Sequence, residues 1–489
     1  MHKAPWRRFA NNLSTSAHLP WTAPTPTTER GRAMTAPPTD RPDPNTTQVP
    51  GHSTEAPVSA LRRRRSLIGV TLGNGLEVFD WTCYAVFAPF FAKALFNPED
   101  ATSALLSTLV VFGVGFAIRP FGGLLFGWLA DRFGRKHSLL VAIACASTGM
   151  LLIGLTPTYA SVGVLSGAIL LAARLLQGLA HTGEVAAAYT YIAEEAPPAR
   201  RGLWSSSIYV SGFLAIMAAT IMGALLTTAL SDHQMATWGW RLPFLIGAAL
   251  GLITLYLRRG MDETHAFTSA AKAVSSPSVF ANLWTYRAAG TRVFLLMASV
   301  TAMFYAWAVS GPTWAISVAH IDPTAALWAG VIALGVSASV LPLLGSLSDR
   351  IGRRRSFYIY GIGVAVTAFP LDHLARQGAW QFALAMTIAL VLFAFVASIL
   401  PAVLSELFPT GVRASGIAMP YALSAVVFGG TAPYLQQWTA QHNVAFLFVG
   451  YLASAALLGA LVMRFTPETA GISLEPTTPD TTDQTQEKK

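Results

Sequence analysis

Gly127-Trp128-Leu129-Ala130-Asp131-Arg132-Phe133-Gly134-Arg135-Lys136 lies between two apolar stretches, each long enough to cross a bilayer. A degraded copy, Gly345-Ser346-Leu347-Ser348-Asp349-Arg350-Ile351-Gly352-Arg353-Arg354-Arg355, has the same setting 218 positions later. That separation is far too long for a solenoid repeat and fits two six-helix halves fused in tandem. A second pair supports the duplication. Glu194-Glu195-Ala196-Pro197-Pro198-Ala199-Arg200-Arg201 aligns with Glu406-Leu407-Phe408-Pro409-Thr410-Gly411-Val412-Arg413 at an offset of 212, keeping the acid, the first proline and the final arginine. The chain reads as an all-α polytopic membrane protein with twelve transmembrane helices in two six-helix bundles.

Composition points the same way. Of 489 residues, 53% are hydrophobic and 12% charged, with a mean hydropathy of +0.48; a soluble protein carries about 25% charged residues. The formal charge is +9, but the Arg and Lys residues cluster beside apolar segments. That pattern is the topological signal of cytoplasmic loops, so a lipid bilayer is the expected partner and nucleic acid is not. Cys83 and Cys145 fall inside apolar segments and imply neither a disulfide nor a metal site. With no phosphate-cradling glycine-rich lysine loop, metal-ligand cluster or nucleophile beside a histidine, the sequence argues against an enzyme, an ATP-driven pump or any cofactor.

Apolar runs near 66–95, 102–127, 138–157, 161–185, 203–230 and 240–258 form the first half, and runs near 291–317, 324–345, 356–374, 379–404, 413–438 and 443–465 the second. Even-numbered loops hold Arg132, Arg135, Lys136, Arg200, Arg201, Arg258, Arg259, Arg350, Arg353, Arg354, Arg355 and Arg413, whereas odd-numbered ones offer only Lys93, Arg241 and Arg376. Both termini are therefore expected in the cytoplasm, and Arg62–Arg65 act as a topogenic anchor at the cell membrane. The organisation that follows is a disordered tail at 1–61, a first bundle at 62–258, a linker at 259–290, a second bundle at 291–466 and a disordered tail at 467–489. Met34 is a second candidate start.

Ionisable residues inside a bilayer cost a few kcal/mol each and are functional candidates by default. Here they all lie in the first half. On helix 1, Asn74, Glu77, Asp80, Trp81 and Tyr84 form one polar stripe. A rise of 1.5 Å per residue puts Glu77 about 16 Å from Ser66, near the middle of the hydrocarbon core. Helix 4 carries a second stripe, Arg174, Gln177, His181 and Glu184, and helix 2 adds Arg119 before Pro120. Glu77, Asp80, Glu184 and His181 are the candidates for proton coupling, because a partly desolvated carboxylate can be neutral in one conformation and charged in another. An ion-paired network that only holds helices together is the structural alternative. The second half offers aromatic walls with polar tips instead, with Tyr305, Trp307 and Tyr421 as candidate contacts.

Gly73-Asn74-Gly75-Leu76-Glu77-Val78-Phe79-Asp80 resembles the helix 1 signature of the metabolite:proton symporter family of the major facilitator superfamily, and Ile118-Arg119-Pro120-Phe121-Gly122-Gly123 its helix 2. Further matches are Arg174-Leu175-Leu176-Gln177-Gly178, Gly183-Glu184, Trp238-Gly239-Trp240-Arg241-Leu242-Pro243-Phe244, Glu406-Leu407-Phe408-Pro409 and Gly429-Gly430-Thr431-Ala432-Pro433. The resemblance spans residues 66–466 and implies two bundles rocking about a central site, with uptake of a small metabolite together with protons. Members of that family carry ketoglutarate, citrate, shikimate, other organic acids, or proline and betaine. This chain departs from the pattern at Val78, Thr182 and Tyr421-Ala422, so no one member's substrate carries over.

The expected function is proton-coupled uptake of a small organic acid by a monomer. Asn74, Tyr84, Arg119, Arg174, Gln177, Tyr305, Trp307 and Tyr421 would bind substrate. In the repeated loop, Asp131 would accept hydrogen bonds from a neighbouring helix N-terminus and pair with Arg135, while Gly127 and Gly134 allow close approach and a tight turn. Arg132, Asp349, Arg350 and Arg353 complete this gating set. Uptake of a zwitterionic osmolyte, export by proton exchange, and a non-transporting receptor with a transporter fold are the competing readings.

Overall fold

The computed structural model describes residues 60–96, 111, 113–264, 281 and 284–474. The N-terminal tail as far as residue 59, the first turns of the second span, the middle of the linker and the last residues of the C-terminal tail lie outside the described residues. So do the side chains of Arg62–Arg65 and Lys93.

The first half is built from α1 (Ala60–Leu95), α2 (Arg119–Phe133), α3 (Arg135–Leu155), α4 (Leu165–Glu195), α5 (Arg201–Ala229) and α6 (Leu242–Arg259). The second half follows with α7 (Arg287–Met303), α8 (Pro323–Ile351), α9 (Arg353–Ala375), α10 (Ala379–Ala397), α11 (Arg413–Ser424) and α12 (Ala445–Arg464). Nine helices among the described residues are long and apolar enough to cross a membrane. α1, α2 and α4 are not among them, and these three carry Glu77, Asp80, Arg119, Arg174 and Glu184. A helix that carries such groups must turn them toward protein or water.

The sequence punctuates the helices as expected at the repeated loop. Gly134 at φ +101° separates α2 from α3, and Gly352 at φ +96° separates α8 from α9. Both conformations favour a residue with no Cβ. Two runs that read as continuous helices are interrupted. A π-helical segment, Phe304–Val309, separates α7 from Gly311–Ser317, and another, Ala425–Gly429, separates α11 from Ala432–Gln441. Each interruption precedes a proline, Pro312 or Pro433, whose ring excludes the ordinary bond to the carbonyl four residues back; a wider turn accommodates it.

The halves meet where α2 packs along α11 and α5 along α8, two contacts that exchange under the internal repeat. They come very close. A Cβ placed on Gly202 would stand 2.6 Å from the Gly345 carbonyl oxygen, and one placed on Gly345 would stand 2.6 Å from that of Gly202. In lipid, where apolar surface gains nothing from leaving water, close backbone packing of this kind is what holds helices together.

Candidate functional site

The α1 stripe divides once it is folded. Asn74, Glu77 and Trp81 face a central cavity of about 460 Å³, which also has walls from α4, α5, α7, α8 and α11. Asp80 and Tyr84 are not on its wall; they turn toward α4. The Asn74 amide is already used, donating to the Ile208 carbonyl at 2.9 Å and to Ser211 Oγ at 3.1 Å.

Arg119 is the cationic centre of the cavity. It is 1% exposed, and its guanidinium carbon lies 3.8 Å from the Phe116 ring centroid and 4.3 Å from that of Trp81, a cation–π sandwich. Its Nε and Nη1 make no hydrogen bond to the described residues. A buried guanidinium that keeps donors in reserve is primed for a carboxylate. Thr182 supports it from α4, donating from its hydroxyl to the Arg119 carbonyl at 3.1 Å. Glu77 lies beside it on the wall, with Oε1 abutting Nδ1 of His181 outside hydrogen-bonding alignment and Oε2 unbonded among the described residues.

Arg174 is not on the cavity wall. Its Nη1 donates to Asp80 Oδ2 at 3.3 Å and to Gln177 Oε1 at 2.9 Å, while Gln177 Nε2 donates to Asp80 Oδ1 at 2.9 Å. Its guanidinium carbon is 3.6 Å from the Tyr84 ring centroid. Glu184 is engaged on both oxygens by Arg258 of α6, with Nη1 to Oε2 at 2.7 Å and Nη2 to Oε1. Arg258 also donates to the carbonyls of Gly69 and Leu139 and is fully buried, although its sequence position reads as a loop charge.

Tyr305 and Tyr421 line the cavity, whereas Trp307 lines a separate small pocket inside the second half. Two further tyrosines on the wall have no sequence signal. Tyr189 and Tyr209 face each other with hydroxyls 3.4 Å apart, and a tyrosine on an apolar helix looks like ordinary packing.

The cavity reaches Thr227 and Thr313 at one end. On α5, Thr227 lies about 37 Å from Gly202 at 1.5 Å per residue, and at Gly202 the molecule is sealed. Asp131 accepts from the backbone N–H groups of Ala414 at 3.2 Å and Ser415 at 2.8 Å, in the first turn of α11. Asp349 accepts from Gly202 at 2.8 Å and Leu203 at 3.0 Å, in the first turn of α5. Each aspartate thus caps a helix of the opposite half and pairs with its own arginine, Asp131 with Arg135 at 3.4 Å and Asp349 with Arg353 at 2.9 Å.

Two glutamates extend the seal. Glu194 binds Arg135 at 3.2 Å, Arg413 at 2.5 Å and the Thr264 hydroxyl at 2.5 Å. Glu406 binds Arg201 at 2.9 Å, Arg353 at 3.5 Å and the Thr469 hydroxyl at 2.6 Å. Beyond them, Glu263 accepts from the N–H groups of Arg135 and Lys136, and Glu468 from those of Arg353 and Arg354. Arg132 and Arg350 are exposed, and Arg132 lies against Trp128 and Phe133. No group of metal ligands occurs among the described residues.

Residues 70–419 match the Major Facilitator Superfamily. The alpha-ketoglutarate permease of Escherichia coli is 34% identical over 405 residues, covering 82% of this chain and 93% of that protein. The citrate-proton symporter of Klebsiella pneumoniae is 31% identical, covering 86% of this chain and 97% of that one. A putative proline/betaine transporter of Staphylococcus aureus is also 31% identical, with coverage of 86% and 92%. Among solved structures, the proton:xylose symporter XylE bound to 6-bromo-6-deoxy-D-glucose superposes with a TM-score of 0.74 at 17% identity, covering 85% of this chain and 98% of XylE.

Proposed function

Because the chain belongs to the Major Facilitator Superfamily, we propose that this integral membrane protein is a secondary transporter that takes up a small organic acid together with protons. It crosses the cell membrane twelve times, has both termini in the cytoplasm and works as a monomer by alternating access. The reserve donors of Arg119, buried beside the cavity, carry this reading. They offer a carboxylate a charge-assisted site in a place where an unpaired charge is costly. Glu77 and His181, in contact beside Arg119, take the coupling proton, and Asp80 with Arg174 forms a second charge pair that a change in access can open. Relatives named for ketoglutarate and for citrate with protons support the same class.

The seal at Asp131 and Asp349 closes the cytoplasmic side, so this conformation is the one open toward the outside. Proton uptake into proteoliposomes, driven by an inward gradient of each member of a carboxylate panel, tests the proposal. A signal with one carboxylate class supports symport, and silence across the panel with folded protein refutes it. The aromatic wall supplied by Trp81, Tyr305 and Tyr421 favours one second reading, a quaternary ammonium zwitterion such as betaine. Proton movement with betaine and not with acids would select it.

A further inference from the structure

The proposed anion site has a charge count of its own. Among the described residues on the cavity wall, Arg119, Glu77 and His181 are the only Arg, Lys, His, Asp or Glu side chains, and all three come from the first half. Arg174 and Arg258, the nearby arginines of that half, are bound to Asp80 and Glu184. The facing wall from α7, α8 and α11 is neutral, with Thr301, Tyr305 and Tyr421 among its few polar groups.

With Glu77 ionised and His181 neutral, the wall carries no net charge, and Glu77 balances Arg119 within the same cavity. Adding one proton to the Glu77–His181 pair leaves a net single positive charge. That charge matches one carboxylate. A second carboxylate on the same ligand would face only hydroxyls and rings, and a charge buried without a counterion is strongly disfavoured. The rest of the wall is mainly apolar and aromatic, including Phe213 and Phe304 stacked with planes 5° apart, and its polar groups are neutral hydroxyls such as those of Thr220, Tyr189 and Tyr209 and the Asn74 amide. Such a surface packs well against a ring and supplies no further counterion for a multiply charged body.

We infer that the substrate is a monocarboxylate with an apolar, ring-bearing body, bound with one proton so that the loaded site is electrically neutral. The inference rests on the organic-acid reading above and departs from the di- and tricarboxylates for which two of the relatives are named.

Isothermal titration calorimetry on the purified full chain tests it without interference from acids that cross lipid unaided. Benzoate, cyclohexanecarboxylate, 2-oxoglutarate, citrate and betaine are titrated in two buffers of different ionisation enthalpy. The ring monocarboxylates should bind at least tenfold more tightly than 2-oxoglutarate or citrate, with about one proton taken up per ligand. Tighter binding of 2-oxoglutarate or citrate, or monocarboxylate binding with no proton uptake, would overturn the inference and leave the organic-acid reading standing. Binding of betaine alone, or of nothing, by protein with an intact thermal transition would overturn both. Tyr305→Arg puts a second cation in the cavity, on the facing wall, and should raise the affinity for 2-oxoglutarate relative to benzoate by at least tenfold; an unchanged ratio in folded variant would contradict the charge count.

Discussion

At the sealed end, Asp131, Arg135, Glu194 and Thr264 are matched one for one by Asp349, Arg353, Glu406 and Thr469. At the level of the cavity, Glu77, Arg119 and His181 have no charged counterpart on the described wall of the second half. The duplicated chain has thus kept its repeat at the seal and lost it at the cavity. A seal between two halves works best when each half supplies the cap for the other, so its residues are tied to the pseudo-symmetry. A binding site for one asymmetric small molecule has no such requirement, and one half can carry the charges while the other supplies shape.

That contrast can be broken at several points. Glu77→Gln should abolish accumulation driven by a pH gradient while sparing substrate exchange, which counterflow in proteoliposomes would record; full accumulation would remove Glu77 from coupling. Glu194→Gln and Glu406→Gln each leave two buried arginines short of a partner. Breaking such a pair costs about 3–5 kcal/mol, and the two variants should loosen the seal equally, read as faster amide exchange near residues 198–208 and 410–420. A large effect in one half alone would mean that the seal is symmetric in shape but not in energy.

Arg119→Gln should weaken anion binding by about 2–5 kcal/mol, roughly thirtyfold or more, with no comparable loss from Thr301→Val on the facing wall. Asp131→Asn and Asp349→Asn each weaken two charge-assisted cap bonds, which are worth about 1.5–3 kcal/mol each when the partner is charged. Both should change the rate of interconversion with little change in substrate affinity; lost affinity alone would contradict a gating role.

The smallest effect concerns the outer caps, where the halves differ. Burial raises the Glu263 carboxyl above the usual range despite its N–H donors and Arg135, whereas at Glu468 four backbone N–H groups outweigh burial and hold the carboxyl below it. As pH falls, Glu263 should protonate first. The stabilising contribution of Glu468 is present above its ordinary value and lost only as pH passes through its lowered one. Infrared carboxyl bands assigned with Glu263→Gln and Glu468→Gln would show the order, and the reverse order would break this difference.

Much of this arrangement was legible in the chain. The repeated loop carries the duplication, and the helical rise counted from Ser66 puts Glu77 at mid-depth. The partition of the α1 stripe was not legible, because i, i+3 and i+4 positions share a face whose width exceeds that of a cavity. Only the fold decides that Asp80 meets Arg174 while Glu77 meets the cavity. Arg258 has the sequence position of a loop charge since it lies at the end of its helix, yet it reaches back to Glu184. Glu263-Thr264 and Glu468-Thr469 are an internal repeat two residues long, too short to be noticed before their shared role is seen.

The crossing of Gly202 over Gly345 has a consequence for how such a chain can drift. Neither position can accept a methyl group by borrowing space from the other, because the other has no side chain to give up. Two codons in opposite halves are therefore frozen together, with no neutral double exchange between them. Divergence of the halves after duplication leaves this contact a place where a change in one copy has no compensating change in its neighbour.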